Sequence, residues 1–269
     1  MAQFLSSYTW SKDREDFGGY SGIVISPDGG QFTILSDRAH VIEGSLFRHG
    51  DRILGVRSQR TATLDFPETL FEESRKRDSE GLAKDVDGRL YVSLESSNQV
   101  ARRDLDGTWS ALPPFPAIQN LSVNKGLEAL AVDVDGTVYA IPEASDGLTI
   151  PFPVFAHCDG KGWSVPFALA RTPGVVPVGA DFGPDGLLYV LERGFAGFGF
   201  YSQVRRFALE GDAPLEGEML LRTAMRRHDN LEGIAVWQNE DGDLRLTMIS
   251  DDNFNRFQKT EIVDYAVPK

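Results

Sequence analysis

The chain has 269 residues, 41% of them apolar and 25% charged, enough to bury a large core as one or two domains. Forty acidic residues against 27 basic ones leave a net charge of −13, which excludes a generic nucleic-acid or anionic-membrane surface and fits affinity for cations. The single cysteine, Cys158, excludes an intrachain disulfide framework and Cys-rich zinc sites, and no apolar run approaches the ~18 residues of a membrane helix.

In chain order, Phe4 to Trp10 reads as a strand, and a β-hairpin then recurs five times. The copies begin at Ser21, Glu80, Glu128, Val178 and Glu232 and turn at Asp28-Gly29-Gly30, Asp87-Gly88, Asp135-Gly136, Asp185-Gly186 and Asp241-Gly242. β-rich runs such as Leu90-Tyr-Val and Leu188-Tyr-Val follow each turn. The starts lie 59, 48, 50 and 54 residues apart, and the stretch from Glu232 through the C-terminus and on to Ser21 spans another 58. A period of ~40–50 residues containing several short strands is that of a β-propeller blade. A third strand follows every hairpin and a fourth follows most, for example Arg52 to Val56 and Met219 to Arg222. The last copy stops after its third strand, so Phe4 to Trp10 is expected to supply the fourth and close the ring. The expected fold is therefore all-β: one propeller domain over residues 1–269 with five four-stranded antiparallel blades. The alternative is six, with a degenerate blade in the proline-rich stretch from Leu148 to Pro177. At most a short helix is expected, near Glu68 to Lys76. Gly22, Gly81, Ala129, Gly179 and Gly233 share the second position of the first strand, which marks that strand as innermost.

If each Asp-Gly is a two-residue type I′ turn, residues equidistant from the turn face each other. Glu80 then lies opposite Glu95, Glu128 opposite Glu143, and Glu232 opposite Asp251. With a three-residue loop, Ser21 faces Asp37; in the fourth hairpin Val178 faces Arg193. Seven carboxylates and one guanidinium are thus expected around one channel mouth, with Asp181 and Glu192 off the aligned positions. Like charges opposed across strands destabilise a sheet, so a cation or hydrogen-bond donors should sit between them. Calcium, which takes six to eight oxygen ligands, suits such a funnel. Two alternatives are locking bonds to backbone amides of the next blade, and carboxyl pairs that share protons.

Basic residues fringe the same ring: Arg77 and Lys125 precede two of the glutamates by three residues, Arg38 follows Asp37, and Arg227 and His228 precede Glu232. They are candidates for holding an anion, or surface charges that offset nearby acids. His228 is the histidine best placed for general acid–base work. The stretch Arg193-Gly-Phe-Ala-Gly-Phe-Gly-Phe-Tyr201 reads either as a mobile apolar lid or as cover for the blade edge. No Gly-x-Ser-x-Gly elbow, P-loop or dinucleotide fingerprint occurs.

Taken together, Tyr20-Ser-Gly-Ile23, Asp78-Ser-Glu-Gly-Leu82, Asn124-Lys-Gly-Leu-Glu-Ala-Leu130, Asp181-Phe-Gly-Pro-Asp-Gly186 with Leu191-Glu-Arg193, and Asn230-Leu-Glu-Gly-Ile234 with Ser250-Asp-Asp-Asn253 resemble the phytase-like family of β-propellers, labelled "esterase-like activity of phytase". The resemblance runs from about Phe17 to Asn253. It implies a bacterial protein, usually exported, with hydrolytic activity on esters or phosphoesters. More distantly the chain is similar to calcium-dependent propeller phytases and to gluconolactonase-type propellers. Met1-Ala-Gln-Phe-Leu5 has no signal-peptide pattern. Export therefore requires that a leader has been removed, and a complete sequence would be cytoplasmic. The expectation is a monomeric, calcium-dependent hydrolase of a small anionic or ester substrate, binding no nucleic acid and inserting in no membrane. Asp37, Glu80, Glu95, Glu128, Glu143, Glu232 and Asp251 would hold metal and water. Arg38, Arg77, Lys125 and Arg193 would hold substrate, and Glu128 and His228 would be catalytic. A non-catalytic binding propeller and a lactonase-like enzyme are the alternatives.

Overall fold

A computed structural model of the chain describes every residue except 15, 68–77, 122–125, 146, 148, 212–213 and 269. After β1 (Gln3–Trp10), blade one is built from β2 (Tyr20–Ile25), β3 (Gln31–Ser36), β4 (His40–His49) and β5 (Arg52–Thr63). Blade two holds β6 (Ser79–Lys84), β7 (Leu90–Leu94), β8 (Gln99–Arg103) and β9 (Trp109–Ala111). Blade three holds β10 (Leu127–Val132), β11 (Val138–Pro142), β12 (Phe152–Cys158) and β13 (Gly162–Leu169). Blade four holds β14 (Val176–Phe182), β15 (Leu188–Phe195), β16 (Phe200–Phe207) and β17 (Glu218–Arg222). Blade five runs β18 (Asn230–Gln238), β19 (Leu244–Asp251) and β20 (Thr260–Ala266), and β1 completes it by pairing antiparallel with β20.

The result is a five-bladed propeller closed by the N-terminal strand, as the repeat predicts. The stretch proposed for a sixth blade instead forms β12 and β13, the outer half of blade three. The helix expected near 68–76 lies outside the described residues. A one-turn helix, α1 (Pro116–Gln119), forms where proline occupies the first helical turn. Among the described residues no helix is long and apolar enough to cross a membrane.

The core is distributed as five wedges, each between two blades. Leu35, Val41 and Leu64 of blade one meet Leu82, Val92 and Leu94 of blade two, for example, and Ala129, Ile141 and Phe152 of blade three meet Ala180, Leu188 and Phe207 of blade four. A middle strand thus has apolar side chains on both faces, which is why its sequence lacks strict alternation.

Toward the axis the inner strands crowd each other. A Cβ added at Gly22 would lie 2.6 Å from the Leu82 Cβ, and one at Gly81 would lie 2.6 Å from the Leu130 Cβ and 2.7 Å from the Glu128 carbonyl oxygen. Gly233 meets the backbone of Ile23 at 2.9 Å in the same way. The small residues aligned in the sequence are therefore required by contact between adjacent blades. Below the mouth the channel narrows to a cavity of about 10 Å³ lined by Gly22, Gly81, Gly179 and Gly233, the room of roughly one water. The mouth is thus a bowl above a narrow axial constriction.

The hairpin turns differ from the expected type. The Gly88 N–H donates to the Asp85 carbonyl and the Asp85 N–H to the Arg89 carbonyl, enclosing three loop residues. Only Gly88 has positive φ (+100°), so the turn is type I followed by a left-handed glycine rather than type I′. The same pattern recurs at Gly136, Gly186 and Gly242, and it moves each register by one residue.

Crowding at the axis predicts that Gly22→Ala destabilises the protein by about 1–3 kcal/mol. Gly55→Ala, in the outer strand β5 with only Phe47 at 3.9 Å, should lie near zero. Paired urea denaturation curves check both.

Candidate functional site

A second shift in register builds the site. Each inner strand carries a β-bulge near its start. In blade three Leu127 pairs with Pro142 but Ala129 with Ile141, leaving Glu128 as the extra residue. Ser21, Val178 and Glu232 are the extra residues in blades one, four and five. In blade two Glu80 and Gly81 share the space opposite Ser93. Added to the turn shift, the bulge displaces every expected pair. Asp37 faces Gly19, Glu95 faces Asp78, Glu143 faces Gly126, Arg193 faces Val176 and Asp251 faces Asn230. The opposed pairs Glu80/Glu95, Glu128/Glu143, Glu232/Asp251, Ser21/Asp37 and Val178/Arg193 do not form as cross-strand neighbours.

The carboxylates converge nonetheless, across blades. Asp78, Glu80 and Glu95 each place a carboxylate oxygen within 4.8 Å of the others. Burial, reinforced by Glu128 and Glu232 and then by Asp78 and Glu95, holds the Glu80 carboxyl well above the usual range. Glu128 is raised well above its usual value by burial and then by Glu232, Glu143 and Glu95, against the pull of Arg193. Burial and then Glu232 push Asp251 up to about 8. Asp37 is pushed to about 6 by burial, against the pull of Arg38. Two full charges at 4.8 Å repel by roughly 3–4 kcal/mol at an effective dielectric of about 20. Three such pairs would offset most of the ~5–15 kcal/mol that holds a typical domain folded. Asp78, Glu80 and Glu95 therefore cannot all be ionised without a counter-charge.

One side of the ring contains that counter-charge. The Arg193 guanidinium donates through Nη1 to Asn230 Oδ1 (3.2 Å) and to Glu232, and through Nη2 to Glu143 Oε1 (2.9 Å). Asn230 Nδ2 also donates to Glu232, at 2.8 Å. Other acids lock neighbouring segments: the Gly126 N–H donates to Glu95 (3.3 Å), the Gly19 N–H to Asp252 (3.0 Å), and the Val236 N–H of blade five to Asp181 of blade four (2.7 Å). Glu192 is fully buried away from the mouth against Arg205 and Gln203. Glu80 and Glu128 accept no hydrogen bond or ion pair from the described residues, although Glu128 is only 9% exposed.

Of the candidate residues, Asp37, Glu80, Glu95, Glu128, Glu143, Glu232, Asp251 and Arg193 gather at the bowl, and Arg38 stands exposed beside Asp37 with its guanidinium over the Phe254 ring. His228 does not join them. It is buried against Phe4 and Tyr265 of the outer strands, its Nε2 2.7 Å from the Tyr265 hydroxyl, and burial pushes its pKa down to about 4. Its charged neighbours are Glu261, Arg227 and Lys259, none of them a bowl carboxylate. Arg77 and Lys125 lie outside the described residues. The glycine-aromatic stretch is not a loose lid: β15 and β16 extend to Phe195 and Phe200, which pair across a four-residue tip. Asp78 and Asn230 were missed, because both face their partners only after the bulge shifts the register by one.

A sequence model of the family described as "Phytase-like: Esterase-like activity of phytase" matches residues 15–254. No curated protein matches the chain. Among solved structures, an aldose sugar dehydrogenase from Streptomyces coelicolor in its PQQ-bound form is 14% identical, with 97% of this chain and 98% of that chain covered and a TM-score of 0.47. A virginiamycin B lyase from Staphylococcus aureus is 12% identical over 97% and 98% of the two chains, with a TM-score of 0.46. A putative gluconolactonase is also 12% identical, over 100% of each chain, with a TM-score of 0.46. Likeness at this level assigns no chemistry.

The raised carboxyls fix a pH dependence. They hold protons more tightly folded than unfolded, so stability is greatest below the unfolded carboxylate range and falls as pH rises through about 6 for Asp37 and about 8 for Asp251. In chelator, the Tm should fall between pH 5.5 and pH 8.5. Arg193→Met, which strands Glu143 and Glu232, should cost about 3–5 kcal/mol at pH 7.5 and less at pH 5.5. A Tm that is flat or rising over this range would show that the carboxylates are not desolvated.

Proposed function

Because the chain belongs to the phytase-like family, we propose that it is a calcium-dependent hydrolase of small esters or phosphoesters, working at the acidic bowl. The observation that carries this reading is the pinched group Asp78, Glu80 and Glu95, whose carboxylate oxygens lie within 4.8 Å of one another. The donor set fits the ion. It consists of hard carboxylate oxygens without His or Cys, as calcium prefers. Among the described residues Glu80 and Glu128 have no competing hydrogen-bond donors, and protons held by raised carboxyls would leave as a dication enters. Asp78, Glu80 and Glu95 would hold the metal, with Glu128 beside them. When bound, calcium would polarise the scissile group and acidify a water.

The chain's own residues then have separable tasks. Glu128, buried among Glu95, Glu143 and Glu232 with a raised pKa, is suited to take a proton from the attacking water and return it to the leaving group. Arg193, its side chain 21% exposed, holds Glu143 and Glu232 in place. Arg38 faces solvent at the rim and can meet an anionic group. A second reading, a lactonase-like enzyme on an uncharged ester, is favoured by the engagement of Arg193 with two carboxylates, which leaves the bowl poor in free cations among the described residues.

Calcium added back after chelation should raise the Tm, with stabilisation of about 2.7 kcal/mol at a hundredfold excess over Kd. Glu80→Gln should abolish that shift. Glu128→Gln should keep it while lowering the hydrolytic rate by about 100-fold or more. No shift with wild type overturns the metal. A calcium shift without phosphatase, esterase or lactonase turnover would leave a non-catalytic binding propeller.

A further inference from the structure

We propose that the substrate taken at this bowl carries an apolar aryl or alkyl group, and that a rim built from blades four and five holds it. The proposal rests on the hydrolase reading above for the polar half of the substrate. Phe195 is 61% exposed, Phe198 85%, Met225 47% and Phe257 81%. They come from three segments: the β15–β16 tip, the connection 223–229, and the loop 252–259.

These segments are tied to one another. The Arg226 N–H donates to the Phe200 carbonyl (2.8 Å), and the Arg226 side chain fills the space where Gly199 would carry a Cβ, so the tip rests on the connection. Gln258 Nε2 donates to Asp229 Oδ1 (3.1 Å) and the Lys259 N–H to Asp229 Oδ2 (2.9 Å), which ties the connection to the loop. The rim starts two residues after Arg193, and its last segment begins one residue after Asp251, both of which belong to the bowl. It is also fixed. The Ala196 N–H donates to the Gly199 carbonyl (3.1 Å), the Tyr201 hydroxyl to the Gly174 carbonyl (3.0 Å), and the Asn255 N–H to the Asp252 carbonyl (2.7 Å). Side chains of this size are held in water by ordered backbone beside a polar site, an arrangement that marks a ligand surface.

Three considerations select the occupant. Four side chains offer a few hundred Å² at most, short of the ~800 Å² per partner that a stable protein interface buries. A net charge of −13 opposes an anionic membrane. Arginines stand among the aromatics, with Arg256 over the Phe257 ring at 4.9 Å and Arg38 over the Phe254 ring. The rim therefore matches a small amphiphile whose polar end reaches the bowl.

Alkyl- and arylphosphonates, which mimic the tetrahedral oxyanion of carboxylic ester cleavage and are uncleavable analogues of a phosphoester, separate the outcomes. In calcium buffer, calorimetric titration should show phenylphosphonate and octylphosphonate binding at least tenfold tighter than methylphosphonate. That advantage should fall to within twofold in the folded variant Phe198→Ser/Phe257→Ser. Equal affinities for all three overturn the rim and leave the hydrolase reading standing. No binding of any phosphonate overturns both. Co-sedimentation with phosphatidylglycerol vesicles, or a dimer in sedimentation velocity, that the same variant abolishes would assign the rim to a membrane or a second copy and overturn the proposal.

Discussion

Everything at the mouth of this propeller follows from how closely the five inner strands approach the axis. Gly22 and Gly81 leave no room for a Cβ against Leu82 and Leu130 of the next blade, and the channel below closes to about the size of one water. Strands this crowded cannot all run in plain register to the rim. Each inserts one extra residue just above its small residue, and a bulge of this kind re-aims the side chain it adds. In three blades that residue is a glutamate, so one packing constraint gathers Glu80, Glu128 and Glu232 at the same place.

Gathering acids is costly, and the ring answers the cost differently on its two sides. Blade four contributes no carboxylate at the bulge; Val178 stands there, and Arg193 reaches between Glu143 and Glu232 instead. On the side of blades two and three, Glu80 accepts no ion pair from the described residues, and the pull of Arg193 on Glu128 does not offset burial and the neighbouring carboxylates. Protonation is the answer available to the chain alone, as the raised carboxyls of Glu80 and Glu128 indicate. A divalent ion is the other, and it acts on the same groups.

The fold was legible because it depends on period and composition: five Asp-Gly turns, five small residues at one aligned position, and a chain that runs out one strand short. The pairings were not legible. Nothing in Asp87-Gly88 distinguishes a two-residue turn from a three-residue loop with glycine at its end, and a bulge leaves no mark of its own in Glu80-Gly81. Together these two shifts moved Asp78, not Glu80, into the place opposite Glu95. His228 was misplaced for a related reason. It precedes Glu232 closely in sequence, but the chain enters blade five from its outer side, so the ring packs on Phe4 and Tyr265. Sequence proximity to a strand start carries no information about distance from the axis.

The acidic ring survived the wrong register because its geometry is radial. Near the axis, residues at the starts of all five inner strands are close to one another whatever their partners within the blade. What changes is the direction of the repulsion. The charges that raise Glu80 include Glu128 and Glu232 of other blades, and those that raise Glu128 include Glu232 and Glu95. A repulsion within one hairpin would only splay two strands, whereas a repulsion between blades works against closure of the whole ring. A cation held by Asp78, Glu80 and Glu95 beside Glu128 would therefore relieve the repulsion between blades two and three, while Arg193 already binds blade four to blades three and five. In this propeller the requirement for charge balance at the site and the requirement for a closed ring fall on the same side chains.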